Sequence, residues 1–338
     1  MNKRNYFLDF WKYIAAIGVI LVHIPFPGPA GKALSVIGSG GVCLFALISG
    51  YACCGESVKT SEKIIKRLKR NGLITVISLA IYIIFSFFLM QSLGQFDQWK
   101  NGFTNPASYL KMLVLGDFEF FYAAILWYMV ALIYCYIIFY FVVRNNRKKI
   151  IYLLLPATVA LRIAAGIYVG TAGASWHIRD NFLAGVLPMM CIGYVIADQK
   201  EKIGKLNTSF LVTGSVISAI LMILTARFKI AGIDMSQPFI ILAMTFLFMT
   251  GIRKPEWHIF KPVAYLGQKD SLYVYLFHVI VILVLRSIIN SFPIPKDVIR
   301  MTLPVISIIA SLLLARLLSV IVPRIRNLFN RGNAASKI

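Results

Sequence analysis

The sequence predicts an all-α, polytopic membrane protein with about ten transmembrane helices and both termini in the cytoplasm. Three observations carry that reading. Of the 338 residues, 59% are hydrophobic and only 14% charged, giving a mean hydropathy of +0.77. Such a composition excludes a cytosolic globule, a disordered chain and a disulfide mini-protein. Ten apolar stretches approach the roughly 20 residues that cross a hydrocarbon core about 30 Å thick as a helix. The lysines and arginines are distributed unevenly between the connections that join them.

The stretches are 6–26, 35–54, 73–93, 120–143, 150–170, 181–197, 209–226, 237–252, 270–290 and 300–322, the sixth and eighth being short. The first does not read as a cleaved signal peptide: Asp9 and Lys12 interrupt it, it has full span length, and it lacks a small-residue cleavage site. No repeat or low-complexity tract is visible. The longest connection, 94–119, is too short for a soluble domain. Residues 1–338 therefore read as one integral membrane domain.

With the N-terminus inside, 23 of the 35 lysines and arginines fall on inner segments, 8 on outer ones and 4 within spans. Short cytoplasmic loops carry such an excess, which sets the orientation. The net charge of +22 is then topology plus attraction to anionic lipid, and no nucleic-acid partner is expected. Cys43, Cys53, Cys54, Cys135 and Cys191 lie in apolar stretches without metal-ligand spacing. They read as reduced packing residues, with no metal and no disulfide.

Ionisable groups inside a span are costly, so each is a candidate for function. The first stretch holds Asp9, Lys12 and His23. At about 100° and 1.5 Å per residue, Lys12 and His23 lie about 20° apart in azimuth and about 16 Å apart in height. Asp9 is one turn below Lys12 and can pair with it. A structural ion pair plus an interfacial histidine fits this pattern equally well. In the ninth stretch Ser271, Tyr275 and His278 fall within about 60° on the helix wheel, with Arg286 two turns further out. A lone membrane histidine is usually a packing residue, but two on polar stripes point to a lined cavity.

The densest basic cluster, Ser61 to Arg70, reads as a short amphipathic helix with a serine near its start. Arg67 and Arg70 share one face, beside Lys66, and such a pair can grip phosphates bidentately. A positive-inside anchor on lipid headgroups is the alternative. In the second stretch, Gly40, Gly41, Ser49 and Gly50 permit close helix approach. Trp127 reads as lying well inside the fourth, His177 as solvated or interfacial, and Arg162 as facing protein or water.

Taken in order, these pieces resemble the acyltransferase-3 family of integral membrane acyltransferases. Leu8-Asp9 followed by Lys12 and His23 resembles its first-helix signature, and Gly41 to Tyr51 its second-helix motif. Arg67-Leu-Lys-Arg70 is similar to its Arg-x-x-Arg element, Leu126-Trp-Tyr-Met to its Leu-Trp-Phe-Leu stretch, and Leu266 to His278 to its late Gly-x-x-Ser…Tyr-Leu-x-His motif. Lys12 stands where the family commonly has arginine, keeping the charge without the fork. Tyr51 replaces a usual phenylalanine. The chain has no room for the extracytoplasmic esterase-like domain that some members carry, so any handover to one needs a separate partner protein.

The resemblance implies transfer of an acyl group, usually acetyl, from cytoplasmic acyl-CoA to a sugar hydroxyl on an envelope glycan or lipid-linked precursor. The place implied is the plasma or inner membrane. Arg67, Arg70 and Lys66 then hold the phosphates of acyl-CoA. His23 takes the hydroxyl proton or accepts the acyl group covalently, with Lys12, Asp9 and His278 beside it in the reaction. Ser271, Tyr275, Trp127 and Ser49 are candidates for oxyanion or acceptor contacts. An amine acceptor, a secondary transporter of a polar solute and a non-catalytic scaffold are the rivals. The expectation common to the catalytic readings is that two buried imidazoles and an inward-facing arginine pair border one passage.

Overall fold

A computed structural model describes residues 4–55, 58–229 and 233–335, the last eleven as backbone. Lys3, Arg326, Arg331 and Lys337, counted above among the inner charges, lie outside the described side chains. Among the described residues there is no strand. Nine helices are long and apolar enough to cross a membrane. They are α1 (Tyr6–His23), α2 (Gly28–Tyr51), α3 (Val58–Ser92), α6 (Trp127–Arg144), α7 (Lys149–Ala172), α10 (Thr208–Arg227), α11 (Ser236–Arg253), α13 (Ser271–Asn290) and α14 (Lys296–Ala335). The sixth predicted stretch is the shorter apolar segment Phe182–Asp198, a π-turn leading into α8 (Leu187–Asp198). Short helices α4 (Phe96–Thr104), α5 (Pro106–Leu115), α9 (Lys200–Lys205) and α12 (Lys261–Lys269) fill the connections.

The chain divides into two compact units, residues 1–38 with 256–338, and residues 39–255. In the first, Asn5 starts α1 by accepting from the Leu8 amide at 2.9 Å, and Pro25 and Pro27 follow its end. The beginning of α2 returns against α1 where Gly18 and Gly38 face each other: a Cβ on Gly18 would stand 2.8 Å from the Gly38 Cα. The short α12 lies on α1 so closely that a Cβ on Gly267 would overlap the Asp9 carbonyl. Two backbones can approach this far only where no side chain intervenes. Gly267→Ala is therefore expected to cost about 1–3 kcal/mol through overpacking. Gly72→Ala, on α3 with open space around it, is expected to leave the thermal midpoint in detergent unchanged or raised; equal shifts for the two would refute the steric reading.

In the second unit the end of α2 packs on α8 by the same means. A Cβ on Gly50 would overlap the Met190 carbonyl, and one on Gly193 the Leu47 carbonyl. The structure corrects three expectations here. The basic segment 61–70 is no separate helix but the first third of the continuous 35-residue α3. Its serine does not cap; Ser61 is already in the helix and donates back to the Val58 carbonyl at 2.7 Å. Trp127 is the first residue of α6 rather than mid-span, because Tyr122 takes a left-handed φ of 56° that breaks the chain into two short turns before it.

Candidate functional site

At the start of α1, Asp9 is 7% exposed and accepts from two cations: Arg4 Nε at 2.9 Å and Lys12 Nζ at 2.6 Å. Arg4 also donates to the Ala264 carbonyl of α12 at 3.1 Å. The pairing of Asp9 with Lys12 follows from their i,i+3 spacing. Arg4 could not be found that way, since it precedes the helix and reaches back from an irregular segment. The three groups carry a net positive charge beside the Gly267 contact.

The second polar cluster of this unit is a pair of imidazoles. His23 ends α1 and His278 lies in the middle of α13, with ring centroids 5.1 Å apart and planes at 49°. Tyr275 lies 6.4 Å from the His278 ring. The two histidines differ in surroundings. His278 is fully buried, whereas His23 keeps an accessible surface. The helix ends at His23, so no further turn of α1 covers the ring.

The tautomer of His278 follows from its neighbours. Nδ1 lies 3.1 Å from the Val274 carbonyl and 2.9 Å from that of Tyr275. Carbonyls only accept, so Nδ1 carries the hydrogen. In the neutral ring the lone pair is then on Nε2, which is buried without a hydrogen-bond partner among the described residues. The helix's own backbone thus fixes the tautomer. Arg286 stands within electrostatic reach of His23. Ser271 turns its hydroxyl to the Gly267 carbonyl at 2.7 Å.

The arginine pair belongs to the second unit. Arg67 is partly buried on α3; Lys66 and Arg70 are exposed. The charges of both arginines reach Tyr136 of α6, which hydrogen-bonds Ser49, and that of Arg67 reaches Cys53 at the end of α2. Ser49 also donates to the Phe45 carbonyl at 2.9 Å. Asn71, one position beyond Arg70, fixes α3 on α6 by donating to the Met129 carbonyl at 2.8 Å. The arginines therefore sit on a helix whose rotation is locked.

At the start of α6, Trp127 stands edge-on to Trp176, with centroids 6.4 Å apart. Trp176 stacks on His177 at 3.8 Å and donates to Glu119 at 2.8 Å. His177 is not simply solvated: Ser175 Oγ is 2.9 Å from its Nδ1 and Asp117 Oδ1 is 3.5 Å from its Nε2. These loops are separated by about 60 residues, and no local pattern announces their meeting.

Arg162 of α7 has its partner identified. It is 5% exposed and donates to the Ala184 and Gly185 carbonyls at 3.3 and 3.1 Å and to the Cys43 sulfur at 3.3 Å. Those carbonyls belong to the π-turn Phe182–Val186, which is followed by Pro188. Proline has no N–H, so the Ala184 carbonyl lacks its i+4 donor, and Arg162 replaces it. Arg162→Met is expected to cost about 1–3 kcal/mol by stranding buried carbonyls. Adding Pro188→Ala, which restores a donor, should recover part of that loss; strictly additive thermal shifts would refute the link.

Among the described residues no cluster of His, Cys, Asp and Glu could hold a metal ion. In comparison with known proteins, the model of the family Acyl_transf_3, described as an acyltransferase domain, matches residues 5–322. No curated protein and no solved structure matches the chain.

Proposed function

The chain belongs to the acyltransferase-3 family, and from that premise we propose that this multi-pass membrane acyltransferase moves an acetyl group from cytoplasmic acyl-CoA to a hydroxyl of an envelope glycan or lipid-linked sugar in the plasma or inner membrane. The observation that carries the reading is the histidine pair: an exposed imidazole beside a buried one whose Nε2 is unclaimed. His23 contacts the acceptor and takes its hydroxyl proton. The oxygen attacks the thioester carbonyl, the C–O bond forms, the C–S bond breaks, and the proton passes to the departing thiolate. His278 supports His23 through its Nε2, and Tyr275 is assigned to donate to the oxyanion.

Arg67, Arg70 and Lys66 are assigned to the phosphates of acyl-CoA, for which a bidentate cation pair is suited. Arg4 and Lys12, both held by Asp9, add positive potential where an anionic donor would approach. Trp127 and Ser49 are assigned to acceptor and donor contacts in the second unit. Handover to a separate extracytoplasmic transferase is compatible with this chemistry.

The test is incubation of purified protein with labelled acetyl-CoA and a panel of envelope glycans and lipid-linked sugars. Label is expected in an ester, released by mild base. Label in an amide would move the acceptor to an amine, and no acetyl-CoA consumption with any acceptor would reject the reading.

A further inference from the structure

Buried serines on membrane helices normally satisfy their hydroxyls on their own helix. Ser61, Ser86 and Ser271 each donate to a carbonyl three or four residues back. Ser307 and Ser311 of α14 do not. They are 0% and 2% exposed, and neither Oγ has a partner among the described residues. His278 Nε2, in a residue 0% exposed, likewise has no hydrogen-bond partner among the described residues, and Asp270 Oδ1, in a residue 1% exposed, has only its ion pair with Arg316 at 3.8 Å. All four belong to the first unit.

These atoms lie along one seam. Leu303, Ser307, Ser311 and Ala315 of α14 are buried at every fourth residue and so on one face, with Pro304 beside the first of them. That helix packs on α13 and, over a shorter stretch, on α1. The register is set by Arg316, 3.8 Å from Asp270. From that level His278 is about 12 Å along α13, and Ser307 about 13 Å back along the antiparallel α14. The seam thus runs from a half-exposed guanidinium, past hydroxyls on a stripe of small residues, to the catalytic histidine.

Buried polar atoms without hydrogen bonds disfavour a closed seam, and a ligand carrying donors and acceptors relieves it. The order cation, narrow polar lane, imidazole matches one molecule of the proposed reaction: phosphates, a thin amide-bearing pantetheine arm and a thioester. We infer that Ser307 and Ser311 bind the pantetheine arm of acyl-CoA as α14 parts from α13, with Arg316 toward the phosphates and His278 toward the thioester. This rests on acyl-CoA being the donor.

The inference has a signature that a purely structural role lacks. Removing both hydroxyls should make the closed seam more stable and the donor bind less well. In S307A/S311A the thermal midpoint without ligand is expected to rise, while KM for acetyl-CoA rises about tenfold, from the loss of two hydrogen bonds. S311A alone should show both changes at smaller size. If wild-type protein turns over acetyl-CoA and the double variant keeps its KM, or loses stability, or changes only the KM of the acceptor, the lane is refuted while the donor assignment stands. If wild-type protein does not turn over acetyl-CoA, both fall.

Discussion

His23→Ala is expected to lose acyl transfer by about 10²–10⁴-fold while inserting and folding normally. The magnitude is that of a general acid–base group removed from a reacting proton. The clean fold is a consequence of exposure: His23 ends α1 and fills no core, so truncation leaves no cavity. The same experiment at His278 needs a different substitution. That ring is fully buried and its Nδ1 is anchored on two carbonyls. Alanine there would open a void as well as remove a base. His278→Gln keeps bulk and a donor toward the backbone but has no basic nitrogen, and is expected to lower turnover with little change in the thermal midpoint. Activity of each variant is measured per folded molecule with labelled acetyl-CoA. Wild-type turnover by His23→Ala would remove His23 from the chemistry and leave the pair as a packing contact.

Much of this arrangement could be read in the chain because membranes impose simple rules. Backbone in hydrocarbon must satisfy itself, so apolar stretches of sufficient length become helices; nine of the ten stretches do so at full span length among the described residues, and the sixth is the shorter segment Phe182–Asp198. An ionisable side chain in such a stretch is conspicuous, which is why Asp9, Lys12, His23, Arg162 and His278 stood out. Periodicity also placed Asp9 against Lys12. What it could not do was join helices. Nothing in the sequence states that the ring ending α1 meets the ring in the middle of α13, or that Arg162 reaches a π-turn left short of a donor by Pro188. The continuous run of α3 escaped notice because its first third is charged and its remainder apolar, and hydropathy reports that change as a boundary although helix propensity does not. Trp127 was misplaced for the opposite reason: residues 120–126 are as apolar as a span, and the left-handed Tyr122 that breaks them is not a residue type that signals a turn. Ser307 and Ser311 attracted no attention at all, since a serine on a membrane helix ordinarily bonds its own backbone.

Replacing Arg67 and Arg70 together with alanine is expected to raise the apparent KM for acetyl-CoA tenfold or more, with kcat much less affected. Each charged hydrogen bond to a phosphate is worth roughly 1.5–3 kcal/mol, and a factor of ten needs about 1.4. The split between the constants follows from distance along the substrate: a phosphate held equally in ground and transition states sets binding, not the chemical step. Stability should hardly move, because Arg70 is exposed and Arg67 only partly buried. The rotation of α3 that aims them is fixed by Asn71 on the Met129 carbonyl. That gives the argument a second handle. Asn71→Leu keeps both guanidiniums and removes only what orients them. It should raise the same KM by a smaller factor, and raised salt should weaken donor binding in the wild type more than in the double variant, since screening acts on charges that are still present. A KM unchanged in the double variant, with the salt dependence intact, would return the cluster to its other reading, cations that hold α3 at anionic headgroups on the inner face.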